Sequence, residues 1–271
     1  SVKRLNGRFL VEGDADYTLL ANVFGVTSIS FASEFTDLFE GVDFLLKNKK
    51  FKTFRISTRK VNALTKKSKR DFDCMLGDHV CKKYKAKVSL KEFDINVNLE
   101  IIGNQHLFFL DKIVGIGGLP YGIEGRMLAF IENDRDKLAA LLMMKRGCAI
   151  VVIGDADFTS YGVKPRKVSF DGQDISTFLE KVAKEEKCDS VVLGQTLENY
   201  KKISTLIEFR PLIGLDDDEI KGLIKTLLSW ILCFFEYLSV KMGNFIYSCM
   251  LFYTYVWKSK QTNWNTPSCF E

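Results

Sequence analysis

The sequence predicts α/β and α+β units in series, the last of them built on a parallel sheet. Three observations carry this. Phe93, Ile95, Val97 and Leu99 alternate with Asp94, Asn96, Asn98 and Glu100, the period of a half-buried strand. Residues 127–131, 136–146 and 149–153 read as strand, helix and continuous apolar strand, a βαβ unit. At 271 residues, 46% hydrophobic and 27% charged, the chain is long enough for two or three compact units with cores of their own.

The elements follow in order. Arg8–Glu12 is a short apolar strand close behind Ser1, so the chain is expected to begin inside a domain. Asp14 is placed to cap a helix ending near Phe24, with Gly25 closing it. Residues 26–31 are β-branched and read as a second strand. Thr53, Arg55, Ser57 and Arg59 alternate with Phe54 and Ile56, which sets both arginines on one face of a strand. Residues 63–70 form a basic loop, and Phe72, Met75, Leu76, Val80 and Tyr84 recur at helical spacing over residues 71–85. Residues 106–110 make a strand beside 93–100. Glycines 115, 117, 118, 122 and 125 with Pro120 mark a linker or a rigid turn. After the βαβ unit come a helix at 175–187 and a strand at 191–193. Asp216 and Glu219 have capping-box spacing before another helix. Residues 227–257 hold ten aromatics and only two charges, Glu236 and Lys241. Their longest uncharged run is sixteen residues, short of the roughly 18 of a spanning helix. A buried tail is expected; an interaction protein anchored to a membrane by this segment is the weaker alternative.

Charge is distributed unevenly. Between Lys47 and Lys91 lie sixteen Lys/Arg and three acidic residues, or +13; the chain total is +5, so the remainder sums to −8. Such concentration is the electrostatic footprint of a polyanion-binding surface, although lysine-rich solvated faces also occur. The expected RNA contacts are Arg55, Arg59, Lys60, Lys66, Lys67, Lys69, Arg70, Lys82, Lys83 and Lys85.

Catalytic signals are sparse. Two histidines, His79 and His106, leave little for a Ser-His-Asp or Cys-His engine. Seven cysteines without a CxxC point to free thiols in a reducing, cytoplasmic compartment. Cys74 and Cys81 share a helix face beside His79, where core packing is favoured over zinc, and no metal site is expected. Cys188, between Lys187 and Asp189, is the one weak candidate for a functional thiol, expected to be exposed and activated by lysine. The turn Glu132, Asn133, Asp134, Arg135, Asp136 stands where a nucleotide-binding α/β domain holds phosphate. Its carboxylates repel phosphate, and Arg135 alone could attract an anion.

Four blocks carry a resemblance: Gly117-Gly-Leu-Pro-Tyr-Gly-Ile-Glu-Gly-Arg126, Leu142-Met-Met-Lys-Arg-Gly147, Leu193-Gly-Gln-Thr-Leu-Glu-Asn199 and Arg210-Pro-Leu-Ile-Gly-Leu-Asp216. In order and spacing they resemble the tRNA 4-thiouridine synthetases (tRNA sulfurtransferases), over about residues 1–220. The resemblance implies a partial ferredoxin-like domain at 1–38 and a tRNA-binding THUMP domain at 39–114. A PP-loop, Rossmann-like adenylating domain at 115–225 and an aromatic tail at 226–271 follow. It also implies chemistry in which ATP adenylates uridine at C4 and a persulfide sulfur displaces AMP. The family's SGGxDS loop falls on Ile131, Glu132, Asn133, Asp134, Arg135 and Asp136 without a match; its sulfur-handling cysteine falls near Asp171, and its TGE motif on Leu193-Gly194-Gln195. The expectation is therefore a tRNA-binding protein of this type, impaired in adenylation and sulfur transfer. The alternative is an active sulfurtransferase taking ATP and Mg at Arg135 and the 117–125 turn, with sulfur from Cys188 or a partner's persulfide. Expected partners are tRNA, a persulfide-carrying donor protein and a second copy in a homodimer, without a membrane.

Overall fold

The computed structural model describes residues 1–5, 7–13, 16–170, 172, 174–228 and 248–253. The chain opens on a hairpin of β1 (Val2–Leu5) and β2 (Arg8–Glu12), then a short helix α1 (Tyr17–Ala21). Asp16 caps α1 by accepting from the Thr18 and Leu19 N–H groups; the expected cap, Asp14, lies outside the described residues. Next come β3 (Val26–Glu34), α2 (Leu38–Leu46), β4 (Thr53–Val61), α3 (Lys69–Tyr84), β5 (Lys87–Val88), β6 (Ile95–Ile102), β7 (Gln105–Phe109) and β8 (Ile113–Val114). α3 begins two residues before the expected Asp71, because Ser68 and Asp71 form a reciprocal capping box. Lys69 and Arg70 thus belong to a helix and not to a loop.

These strands, with β14 (Ser248–Tyr253), make one sheet in the order β1-β2-β14-β3-β7-β6-β4-β5, with β8 also pairing β3. β14, from the expected buried tail, lies antiparallel between β2 and β3; residues 229–247 and 254–271 lie outside the described residues. Among the described residues no helix is long and apolar enough to cross a membrane. β3 is the common strand. Its first part pairs β14 and β8, and Ser33 and Glu34 pair β7. All three helices pack on one face. Leu20 and Ala21 meet Val11 and Ile29; Val42, Leu46, Phe72, Leu76 and Val80 meet Phe54, Ile56, Leu99 and Phe108.

Among the described residues the opposite face carries no helix, and it curls inward. In the sheet order, β14, β3 and β7 separate β2 from β6. At ~4.8 Å per step a flat sheet would hold them ~19 Å apart, beyond the reach of two side chains. Yet Arg8 on β2 donates from Nη2 and Nε to Glu100 Oε1 on β6, at 2.7 and 3.1 Å. Leu5 of the hairpin joins Val61, Ile102, Leu107 and Phe109 in an apolar cluster at the same end. β6 is therefore not the half-buried strand of the sequence reading: Asn98 and Glu100 are buried as fully as Val97 and Leu99.

The second sheet is parallel throughout. β9 (Arg126–Ile131), α4 (Asp134–Lys145), β10 (Ala149–Gly154), β11 (Arg166–Val168), α5 (Ile175–Glu186), β12 (Ser190–Val192), β13 (Ile207–Phe209) and α6 (Asp217–Leu228) give the order β11-β10-β9-β12-β13. α4 and α6 cover one face and α5 the other. The order reverses between β9 and β12, where doubly wound sheets open a ligand crevice. Phe24 enters the core of this unit and stacks on Tyr161 at 5.6 Å. The segment after β8 continues along β3, with Gly117 donating to Val26 O and Gly25 donating to Gly117 O. Of the two readings of residues 115–125, the rigid turn holds. A side chain at Gly115 would meet the Val26 carbonyl at 2.3 Å.

Removing one partner of a buried ion pair strands the other charge. Arg8→Ala is expected to cost about 3–5 kcal/mol in urea unfolding, and Arg8→Lys less.

Candidate functional site

The crevice between β9 and β12 is occupied by the protein itself. Asn133 caps α4, accepting from the Arg135 and Asp136 N–H groups at 2.9 and 3.2 Å. The Asp136 carboxylate then bridges the opening: Oδ2 accepts from the Glu132 N–H at 3.1 Å and Oδ1 from the Gly194 N–H at 2.9 Å. Backbone donors at a helix start beside a switch point are what a phosphate would use. Here the Asn133 amide oxygen takes two of them, and the Asp136 carboxylate stands across the opening. Gly194 is needed for this approach, since a Cβ there would sit 2.6 Å from Arg135 C, Asp136 N and Asp136 Oδ1.

Beside this bridge, an open depression of about 260 Å³ is lined by Glu132, Asp134, Asp155 and Asp157, with Lys137 as its one cationic side chain. Arg135, the expected anion contact, pairs instead with Asp217 of α6 at 2.8 Å. The alternative ATP site also comes apart in space. Leu119 and Glu124 donate to the carbonyls of Lys145 and Gly147, which places the 117–125 turn at the far end of α4 from Arg135. This arrangement does not fit a triphosphate, because its donors are taken and its walls are anionic.

Cys188 precedes β12, whereas the crevice lies beyond the end of that strand. It is half-buried against the α5 core, and burial pushes its thiol up, with Arg126 opposing only in part. The expected exposed, lysine-activated thiol is not found. Burial likewise raises Cys148. Asp171 lies outside the described residues. Cys74 is exposed rather than in the core, and Cys81 is half-buried. His79 is turned to Asp43, and among the described residues no His/Cys/Asp/Glu group could hold a metal ion.

The ten basic residues fall into three places. Arg55 and Arg59 stand on the helix-free face, as the alternation on β4 predicted, beside Asn96 and Glu100 of β6. Arg55 lies 4.3 Å over the Phe93 ring, and Arg59 Nε is 3.8 Å from Glu100. Lys66, Lys67, Lys69 and Arg70 surround the start of α3, and Lys82, Lys83 and Lys85 its end. Lys69 and Lys82 are thirteen residues apart on one helix, hence ~20 Å. Four of the ten are engaged locally: Arg55 and Arg59 on the sheet, Lys60 beside the start of α3, and Lys83. Lys60 donates to the Thr65 and Lys67 carbonyls, and Lys83 to Asp43 at 2.6 Å. The sequence reading missed Lys112, just past β7, whose Nζ lies 5.6 Å from the Phe109 ring centre on the same face. Its signal was weak, since it lies outside the basic run and is followed by apolar residues.

Asp43 of α2 ties down α3, accepting from His79, Lys83 and Tyr84 at 3.0, 2.6 and 3.0 Å. Burial acts to raise its pKa, but the bonds from Lys83, His79 and Tyr84 prevail and hold it below the ordinary aspartate value. Tyr84 is pushed up to about 12 by burial and by that carboxylate.

Two outcomes follow. Asp136→Ala leaves the Glu132 and Gly194 N–H groups without this acceptor and is expected to cost about 1–3 kcal/mol by urea unfolding. Asp43, depressed in the folded state, adds stability above its unfolded pKa and loses it as pH falls through the folded value. Between about pH 5 and about pH 2 the parent protein should therefore lose more stability than Asp43→Asn, measured by thermal melts.

Comparison with known proteins agrees with this architecture. A THUMP domain model matches residues 32–111, beginning where β3 turns from β14 toward β7. A probable tRNA sulfurtransferase of Thermococcus kodakarensis is 28% identical over 76% of this chain and 71% of its own length. That of Methanocaldococcus jannaschii is 29% identical over 83% and 76%. A Pyrococcus horikoshii crystal structure superposes with a TM-score of 0.69 at 25% identity, covering 84% of this chain and 86% of that one. A 4-thiouridine synthetase, solved as an RNA complex with bound ATP, shares the fold with a TM-score of 0.64 at 22% identity, over 83% and 75%. The chain thus carries a THUMP domain, and its likeness to tRNA sulfurtransferases runs through both sheets.

Proposed function

We propose that this chain is a tRNA-binding protein of the 4-thiouridine synthetase type, acting in cytoplasmic tRNA thiolation and impaired in adenylation and sulfur transfer. One observation carries the impairment. Asn133 holds the Arg135 and Asp136 N–H groups at the helix start, and the Asp136 carboxylate spans a crevice with anionic walls. The raised thiol of Cys188, placed away from that crevice, supports the same reading. Binding rests on the basic THUMP region at 39–114, between a partial ferredoxin-like unit at 1–38 and the parallel-sheet unit at 115–225. Its cations neutralise phosphates, while folded RNA is recognised through shape and 2′-hydroxyls. Thiolation of the bound tRNA would then need both uridine adenylation by another protein and a persulfide-carrying donor, with AMP as the leaving group.

Titration of labelled tRNA at increasing salt tests the binding. With about six phosphate contacts, affinity should fall roughly a thousandfold between about 50 and about 200 mM salt. Salt-independent binding, or none, removes the RNA reading. Thermal melts with a non-hydrolysable ATP analogue and Mg test the impairment, with no shift expected. A rise in melting temperature would restore the active sulfurtransferase, since a ligand that binds only the folded state stabilises it.

A further inference from the structure

We propose that the gap between β2 and β3 is a strand-acceptor site, filled by residues 248–253 as a detachable internal ligand. The site recognises an extended, uncharged, largely apolar peptide that runs antiparallel to both of its walls. This goes beyond the RNA-binding reading and does not rest on it.

The walls of the gap are set by the first part of the chain. β14 is antiparallel to β2 and also to β3, so β2 and β3 are parallel to each other. Thirteen residues join them and carry α1, the length of a crossover between parallel strands. Here the two strands stand one strand apart, the split form of that motif. Each therefore turns a row of backbone N–H and C=O groups into the gap, and buried groups of this kind must be paired. α1 covers the gap on one side. Leu20 and Ala21 pack on Val11 and Ile29, one from each wall, and Tyr17 meets Phe31 edge-on at 5.2 Å.

The strand that fills the gap comes from far along the chain. Ser248–Tyr253 pairs with β2 at five positions and with β3 at six. The register sets Cys249 in the row of Val11 and Phe31, and Leu251 in the row of Phe9 and Ile29, the rows beneath α1. Met250 falls in the row of Leu10 and Ser30, both buried. The segment SCMLFY carries no charge, and a charge in these rows would be desolvated without a partner. Nineteen residues separate Ser248 from the end of α6, an element of the other unit. Backbone pairing and apolar rows thus hold the strand in place, rather than a short connection. This is β-augmentation with the ligand tethered to its receptor. β3 runs on from the gap to pair β7, so a filled gap braces the strand on which the basic half is hung.

The test uses the full chain carrying Leu251→Pro, because proline cannot be held in a strand paired on both sides. The probe is a labelled peptide of residues 248–253 flanked by lysines. By fluorescence anisotropy it should bind this variant at least about tenfold more tightly than the parent, whose tethered strand competes at high effective concentration. The same peptide carrying Leu251→Pro should bind neither. If the variant does not fold alone, added peptide should raise its melting temperature, since it binds only the folded state. Equal binding to parent and variant overturns the proposal, as does no binding to a folded variant or no rescue of an unfolded one. A second measurement leaves the strand intact. Val11→Cys stands opposite Cys249 in the register, so mild oxidation with oxidised glutathione should link positions 11 and 249 within one chain, read by peptide mass mapping. Leu10→Cys, one row away on the other face, should not link to 249. No link from position 11, or equal links from both positions, overturns the proposal.

Discussion

One buried ion pair, Arg8 with Glu100, sets the shape on which the first unit depends. Desolvating two charges is costly, and such a pair persists only where the geometry satisfies it. The partners stand four strands apart in the sheet order, so satisfying it requires the sheet to bend. Bending brings Leu5 onto Phe109 and Ile102, which adds apolar burial on a face with no helix to cover it. Arg59, on the neighbouring strand, stands 3.8 Å from the same carboxylate. Fold and electrostatics are thus two results of a single contact.

The second unit shows what happens when a nucleotide fold keeps its frame and changes its donors. Strand order, helix layers and the helix start at the switch point are all present. The unpaired backbone donors of that helix start must still be satisfied. Asn133 satisfies two of them from within the chain, while Asp136 accepts from Glu132 and reaches across to Gly194. Asp136 thereby joins the two halves of the sheet, and Arg135 joins α4 to α6 by the same kind of link. The two units are not loosely strung. Phe24 is buried in the second core, and the glycine turn is bonded along β3, so a load on the basic region reaches the parallel sheet through packed side chains.

Much of this was legible locally. Alternation on β4 placed Arg55 and Arg59 correctly, because a strand's period is fixed by its backbone. The spacing of Asp216 and Glu219 announced a capping box, and both halves form, with Asp216 accepting from Glu219 N–H and Glu219 accepting from Asp216 N–H. The acidic turn at 132–136 announced a crevice unsuited to phosphate. Each of these depends on residues within a few positions of one another.

What failed depended on partners far away in the chain. Glu100 reads as the polar side of a half-buried strand, and only a hairpin ninety-two residues earlier makes it a buried charge. Cys188 reads as an exposed thiol among lysines, yet α5 and its neighbours desolvate it. The ten cations read as one patch, and the sheet divides them between two faces and two ends of a helix. The sequence by itself determined the elements, their order, the sign of the charge and the acidic turn at 132–136, because propensity, period and composition act over short range. Tertiary structure alone decided the curl of the sheet, the burial of Glu100 and the role of Asp136, because burial and long-range pairing exist only once distant segments meet.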